Sequence, residues 1–237
     1  MNILNEYETI EKLKNGYSIA RFGDGEFFNI IQNRKPINKM QEYDNLLREK
    51  LLSIFDDPLD DLLIGIPRMD KPNKWVSNFH KEFSKFIINK NVYNKSIFAS
   101  AFISRPHMIG ISNSEYFEEL KSIWYERYVV IVNFNERIIL HELFDNCYVK
   151  YIKIERKNCF SDYEFILDKC SKYFKEDVLF LISAGPTATC LAYDICKNIE
   201  QVIDIGQIVF EHLISKHIFD KLEDWTSQNS YRRDKYK

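Results

Sequence analysis

Two carboxylates one residue apart, Asp24 and Glu26, lie in the hexapeptide Arg21-Phe22-Gly23-Asp24-Gly25-Glu26. On an extended backbone side chains alternate with period two, so the pair would point the same way. Such a pair can clamp a hard divalent cation, Mg²⁺ or Mn²⁺, which takes carboxylate oxygens and keeps waters and substrate phosphates as its other ligands. Gly23 and Gly25 would let a bulky ligand approach the backbone. The same residues also fit a plain Asp24-Gly25 turn with Arg21 and Glu26 paired across the surface, and spacing by itself leaves both open.

Three further segments carry chemistry-bearing groups. Ile182-Ser183-Ala184-Gly185-Pro186-Thr187-Ala188-Thr189 reads as a strand passing through small residues into a helix with proline at its first position. Free N–H groups and the helix dipole there suit a phosphate, and Ser183, Thr187 and Thr189 add hydroxyls; an ordinary strand-to-helix turn has the same look. Asp204-Ile205-Gly206-Gln207-Ile208-Val209-Phe210-Glu211-His212 puts acidic groups after an apolar strand, where a base or a metal ligand could arise, although Glu211 and His212 fit a solvated helix face equally well. Ser104-Arg105-Pro106-His107 offers a planar guanidinium that can grip a diphosphate bidentately or simply anchor a loop.

The elements that must position these groups alternate. Helical spacing covers Tyr7 to Lys14, Tyr43 to Phe55, Trp75 to Ile88, Ser114 to Trp124, Ser161 to Phe174, Pro186 to Lys197, and a last helix from about Phe210. Between them lie apolar strands at Tyr17–Phe22, Leu62–Ile66, Ser96–Ile103, Tyr128–Val132, Tyr148–Ile154, Val178–Ser183 and Val202–Ile205. Apolar strands separated by amphipathic helices predict an α/β, Rossmann-like, mainly parallel sheet with helices on both faces. Ligands of such sheets bind outside the carboxyl ends of the strands, where all four segments fall. No repeat or linker divides the chain, so residues 1–225 read as a single domain followed by a polar, basic tail at 226–237.

Composition narrows the function classes. The 237 residues are 45 % hydrophobic and 15 % aromatic, too apolar for a disordered chain. Lys plus Arg number 33 against 35 Asp plus Glu, a formal charge of −2, which provides no global positive field for nucleic acid. Five cysteines without C-x-x-C spacing fit neither a disulfide framework nor a zinc knuckle and read as buried thiols. With no leader-like start and no apolar run long enough to span a bilayer, the expected location is the cytoplasm, peripheral to a membrane at most.

Together, Arg21-Phe22-Gly23-Asp24-Gly25-Glu26, Ser104-Arg105-Pro106, Asn158-Cys159-Phe160, Ser183-Ala184-Gly185-Pro186 and Asp204-Ile205-Gly206 resemble the GT-D fold glycosyltransferases, a family first recorded as a domain of unknown function. The matching features extend over nearly the whole chain. The resemblance implies a D-x-E motif, here Asp24 and Glu26, holding Mn²⁺ or Mg²⁺ at the diphosphate of a nucleotide sugar. It also implies that the donor, a UDP-sugar carrying a hexose such as glucose, lies near Arg21, Gly23, Gly25, Arg105, Ser183, Gly185, Thr187 and Asp204. The acceptor would be a glycan or glycoconjugate, and a homo-oligomer or a partner glycosyltransferase stays open. For an inverting reaction Glu211 is the expected base, since a carboxylate must reach the acceptor hydroxyl. A methyltransferase using S-adenosylmethionine, and a non-catalytic nucleotide-sugar-binding module, are the alternative classes. A methyltransferase has no need of a divalent cation at its cofactor.

Overall fold

A computed structural model describes residues 3–30, 40–68, 98–174, 177–199 and 201–216, with parts of 77–86. The chain opens with α1 (Glu6–Lys14), started by a capping box in which the Asn5 side chain and Glu8 satisfy each other's backbone N–H groups. Then follow β1 (Ser18–Arg21), α2 (Asp24–Ile30), α3 (Asn45–Asp56), β2 (Leu62–Ile66), β3 (Phe98–Ser100), α4 (Ser114–Lys121), β4 (Tyr128–Asn133), β5 (Tyr148–Lys153), α5 (Tyr163–Ser171), β6 (Leu179–Ser183), α6 (Pro186–Cys196), β7 (Gln201–Asp204) and α7 (Ile208–Ser215).

All seven strands form one parallel sheet in the order β3-β2-β1-β7-β6-β4-β5. Strand residues alternate between two cores, as a sheet buried on both faces requires. Ala20, Ile64, Val130, Phe180, Ile182 and Val202 pack under α3, α5 and α6, whereas Ile19, Leu63, Val129, Ile131, Leu181 and Ile203 pack under α1, α4 and α7. The α/β expectation with helices on both faces therefore holds, and the sheet is wholly parallel. All five cysteines are free thiols, as expected, with Cys159, Cys170 and Cys190 buried.

The chain builds outward from β1 to β2 and β3, then crosses to the other half and returns through β7 to β1's open side. The strand order thus reverses between β1 and β7, the place where open α/β sheets hold ligands.

Two expected elements differ. The strand expected to reach Ile103 stops at Ser100, where the Ser100 side chain accepts the Phe102 N–H and turns Ala101–Ser104 into a 3-10 helix. The turn expected at Asp24-Gly25 is the first turn of α2, with no extended stretch. The helix expected over Trp75–Ile88 falls largely outside the described residues, as do Ser96, the start expected for the third strand, and the tail at 226–237.

Candidate functional site

A cleft of about 430 Å³ opens above the carboxyl ends of the strands, at the reversal between β1 and β7. Its polar lining includes Arg21, Asp24, Glu26, Ser183, Asp204 and Gln207, and its apolar lining includes Phe102, Met108, Phe134, Ile138 and Phe210. Four sequence segments separated by up to about 180 positions therefore meet in one place.

Arg21 ends β1 and spans the seam. Its Nε donates to the Asp204 carbonyl at 2.7 Å and one terminal nitrogen donates to the Asp204 carboxylate at 2.7 Å, while the other reaches the Ala101 carbonyl at 3.2 Å and the Ser104 hydroxyl. Four of the five guanidinium N–H donors are thus engaged in tying β7 and the Ala101–Ser104 turn to β1. Arg21, expected near the donor, lines the cleft and is also the tie that positions Asp204. A Cβ at Gly206, whose φ is +48°, would stand 2.0 Å from that guanidinium, so only glycine fits beneath it.

Asp24 and Glu26 both line the cleft, but not as an extended pair. On a helix, residues two apart leave the axis about 200° apart, so the shared direction of an extended pair is lost and the side chains reach the one cleft by different routes. Glu26 turns back and accepts the Gly23 N–H at 2.7 Å, capping its own helix, while the half-buried Asp24 accepts the Gly25 N–H at 3.0 Å. Gly25 packs tightly: a Cβ there would lie 3.1 Å from the Pro186 ring, where α2 and α6 start side by side, and the ring would have to give by a few tenths of an ångström.

Burial, with the Asp204 and Asp24 charges adding to it, pushes the Glu26 carboxyl up to about 7. Glu26 is 8 % exposed and Asp204 3 %, so both charges are held with little water. This all-oxygen set suits a hard cation, with Asp204 already paired to the Arg21 guanidinium at 2.7 Å. Among the described residues no three of the four cleft carboxylates, Asp24, Glu26, Glu155 and Asp204, come within 4.8 Å of one another, so an ion held in this arrangement would take two of them, with phosphate and water completing its shell.

The remaining expected residues divide. Ser183 and Gly185 line the cleft at the start of α6, whose first residue, Pro186, has no N–H and whose Ala188 N–H donates to the Gly185 carbonyl at 2.9 Å. The Ser183 hydroxyl is committed to the Gly206 carbonyl, and Thr189 to the Arg21 carbonyl at 2.8 Å. Thr187 is fully buried and is not part of the lining. Arg105 lines the cleft with no side-chain hydrogen bond or ion pair among the described residues.

Glu211 is a correction. It is 0 % exposed beneath the His107 imidazole, bonded to it and to the Gln207 amide at 2.7 Å, and it does not line the cleft. A carboxylate sealed in this way does not reach an acceptor hydroxyl. Nor do Glu211 and His212 lie on a solvated helix face, for both are buried. Conversely, Glu155 and Arg156 line the cleft just beyond β5, together with Met40 and Gln41. The rule that singled out the other segments, residues just after a strand, applies to Glu155 and Arg156 too and would have found them. Nothing local flags Met40 and Gln41.

The Glycosyltransferase GT-D fold family matches residues 19–221. Glycosyltransferase GlyD of Streptococcus pneumoniae serotype 4 is 29 % identical over 86 % of the chain, and a relative from Streptococcus gordonii is 28 % identical over 84 %. The chain spans 26 % and 31 % of those two longer proteins. A solved structure of domain of unknown function 1792, described as having a distinct glycosyltransferase fold, superposes with a TM-score of 0.74 at 29 % identity, covering 92 % of this chain and 82 % of that one. Another, described as a new glycosyltransferase from Streptococcus sanguinis, gives 0.74 at 25 % identity, covering 91 % and 85 %.

Proposed function

This chain belongs to the Glycosyltransferase GT-D fold family, and from that premise we propose that its cleft transfers a sugar from a nucleoside-diphosphate donor to an acceptor hydroxyl, with Mn²⁺ or Mg²⁺ at Asp24 and Glu26. The observation that carries this reading is the buried Glu26 carboxyl, pushed up to about 7 beside Asp204 and Asp24 at the mouth of the sheet reversal. Placing a carboxylate there beside two others, with only a backbone N–H to bond it, is costly, and a protein gains from the arrangement when a cation joins it.

The ion would supply neutralisation of the negative charge that develops on the departing diphosphate. The chain's own groups do the rest. Arg21 fixes the Asp204 carboxylate, Gly25 lets the starts of α2 and α6 meet, and the Ala184 and Gly185 N–H groups ahead of α6 would offer donors to phosphate oxygens. Arg105 is the uncommitted guanidinium for the same diphosphate. The apolar lining around Phe102, Met108 and Phe134 would exclude water from the anomeric carbon, limiting hydrolysis.

The finer reading, a UDP-hexose such as UDP-glucose passed to a glycan or glycoconjugate, rests on family resemblance. Incubating the protein with a panel of nucleotide sugars, with Mn²⁺ or with chelator, tests both levels. Metal-dependent release of nucleoside diphosphate from one donor is the expected result. Tight donor binding with no turnover on any acceptor would favour the non-catalytic module, and turnover undiminished in chelator would remove the ion from the cleft.

A further inference from the structure

We propose that His141, Glu142 and His212 form a second metal site, outside the cleft lining, that takes Zn²⁺ or a similar borderline transition-metal ion and pins α7 to the segment following β4. His141 and Glu142 lie where the chain turns between two 3-10 helices, Glu136–Leu140 and Glu142–Phe144, and His212 lies on α7. The inference stands independently of the cleft reading.

The spacing is that of a coordination polyhedron. His212 Nδ1 lies 3.4 Å from His141 Nε2 and 3.5 Å from the Glu142 carboxylate, and one ligand atom from each residue falls within 4.8 Å of the others. Bonds of about 2.0–2.1 Å from zinc to nitrogen or oxygen give a tetrahedral edge of about 3.3–3.4 Å, close to the two measured separations. As a hydrogen bond, 3.4 Å between two ring nitrogens is long.

The donor set also has the right chemistry. Two imidazoles with one carboxylate suit Zn²⁺ and leave a fourth position for water. Both rings are buried, which keeps water from competing for their lone pairs. The Glu142 side chain is 45 % exposed, which gives an ion a route in. Coordination through Nε2 puts the His141 proton on Nδ1 and ends the 3.2 Å contact with the Leu143 N–H, and Lys216 leaves Glu142. The Leu143 contact, the long contact between the two rings and one exposed ion pair are exchanged for three metal–ligand bonds.

The site would stiffen one wall of the cleft. Ile138 precedes His141 in the same segment, Val209 and Phe210 precede His212 on α7, and all three line the cleft.

The test uses the chain carrying Asp24→Asn and Glu26→Gln, so that the cleft carboxylates do not bind the probe. After treatment with chelator and its removal, Co²⁺ is titrated while visible absorption is followed, and Zn²⁺ is then added. One equivalent with the intense absorption of tetrahedral Co²⁺, displaced by Zn²⁺, is expected. The exposed Glu142→Gln change, which leaves folding intact by far-UV circular dichroism, should weaken Co²⁺ binding at least tenfold. His212→Asn should abolish the tetrahedral spectrum. Absence of a tetrahedral spectrum in the parent, or unchanged Co²⁺ affinity in Glu142→Gln, would overturn the proposal.

Discussion

Glu26 and Glu211 occupy equivalent places: each is in the first turn of the helix that follows one of the two strands at the sheet reversal, and each is buried. Their surroundings differ. Both oxygens of Glu211 are taken, by His107 and by Gln207, so the carboxylate is satisfied inside the protein. Glu26 has a backbone N–H and two negative neighbours, and it opens on the cleft. A buried carboxylate with its partners built in holds a helix in place, whereas one left facing other negative charge is poised for a cation brought from outside. Substitution can separate these roles.

The largest effect should follow removal of charge at the unsatisfied end. Asp24→Asn and Glu26→Gln keep shape and most hydrogen bonding, and each is expected to reduce donor turnover about 100-fold, some 2.7 kcal/mol in the barrier, and to raise the metal concentration for half-activity. Steady-state rates against Mn²⁺ concentration check this; wild-type rates in both variants would end the metal assignment. At the satisfied end the pattern should invert. Glu211→Ala strands the His107 ring and the Gln207 amide, and should lower stability by about 2–3 kcal/mol while leaving KM for the donor within threefold in the folded fraction. Urea melts with rates measured on the same sample separate the two.

The pH dependence sharpens the contrast. The Glu26 carboxyl titrates at about 7 in the fold against an ordinary value near 4.5, so its folded pKa is raised. Its contribution to stability is complete below about pH 4.5 and is lost as pH rises through about 7, because the fold then holds a charge it disfavours. In chelator, Glu26→Gln should gain on wild type between pH 5 and 8, reaching about 1–3 kcal/mol at pH 8. Mn²⁺ should close the gap by stabilising wild type alone. Parallel melting profiles for the two proteins across that range would mean that Glu26 is not under repulsion.

Much of this was legible in the sequence, for a physical reason. Continuous apolar strands between amphipathic helices can be buried only in a sheet covered on both faces, so the layers and the position of the cleft followed from the pattern. Asp24 and Glu26 line the cleft, yet on a helix that the spacing did not announce: Glu26 caps the Gly23 N–H, and α2 starts at Asp24 where an extended pair or a plain turn was expected. Glu211 failed as a base because period and spacing show that a residue is on a helix but not what lies above it. His107, which seals it, is 104 positions away. The 3-10 turn at Ala101–Ser104 was hidden similarly, since one serine side chain ends a strand that propensity would extend.

The last and smallest effect concerns the two arginines of the cleft, which differ as the two glutamates do. Arg21 has four of its five donors engaged by Asp204, Ala101 and Ser104, so it has little left to offer a ligand. Arg105 lines the same cleft with no side-chain bond among the described residues, at the end of a turn whose backbone is fixed by the bonds from its own N–H to Phe102 and from the Met108 N–H to its carbonyl. A guanidinium held at its base and free at its tip is suited to a diphosphate, to which it can donate two parallel hydrogen bonds. Arg105→Ala should therefore weaken binding of a nucleoside diphosphate about tenfold, some 1.4 kcal/mol, and binding of the bare nucleoside by less than twofold. Arg105→Lys should recover only part of the loss, because a point charge replaces a fork. Calorimetric titration of the three proteins with both ligands, in Mn²⁺, reads the difference directly. Equal losses for nucleoside and nucleoside diphosphate would place Arg105 in the wall of the cleft and leave Arg156, beyond β5, as the cation to be tested next.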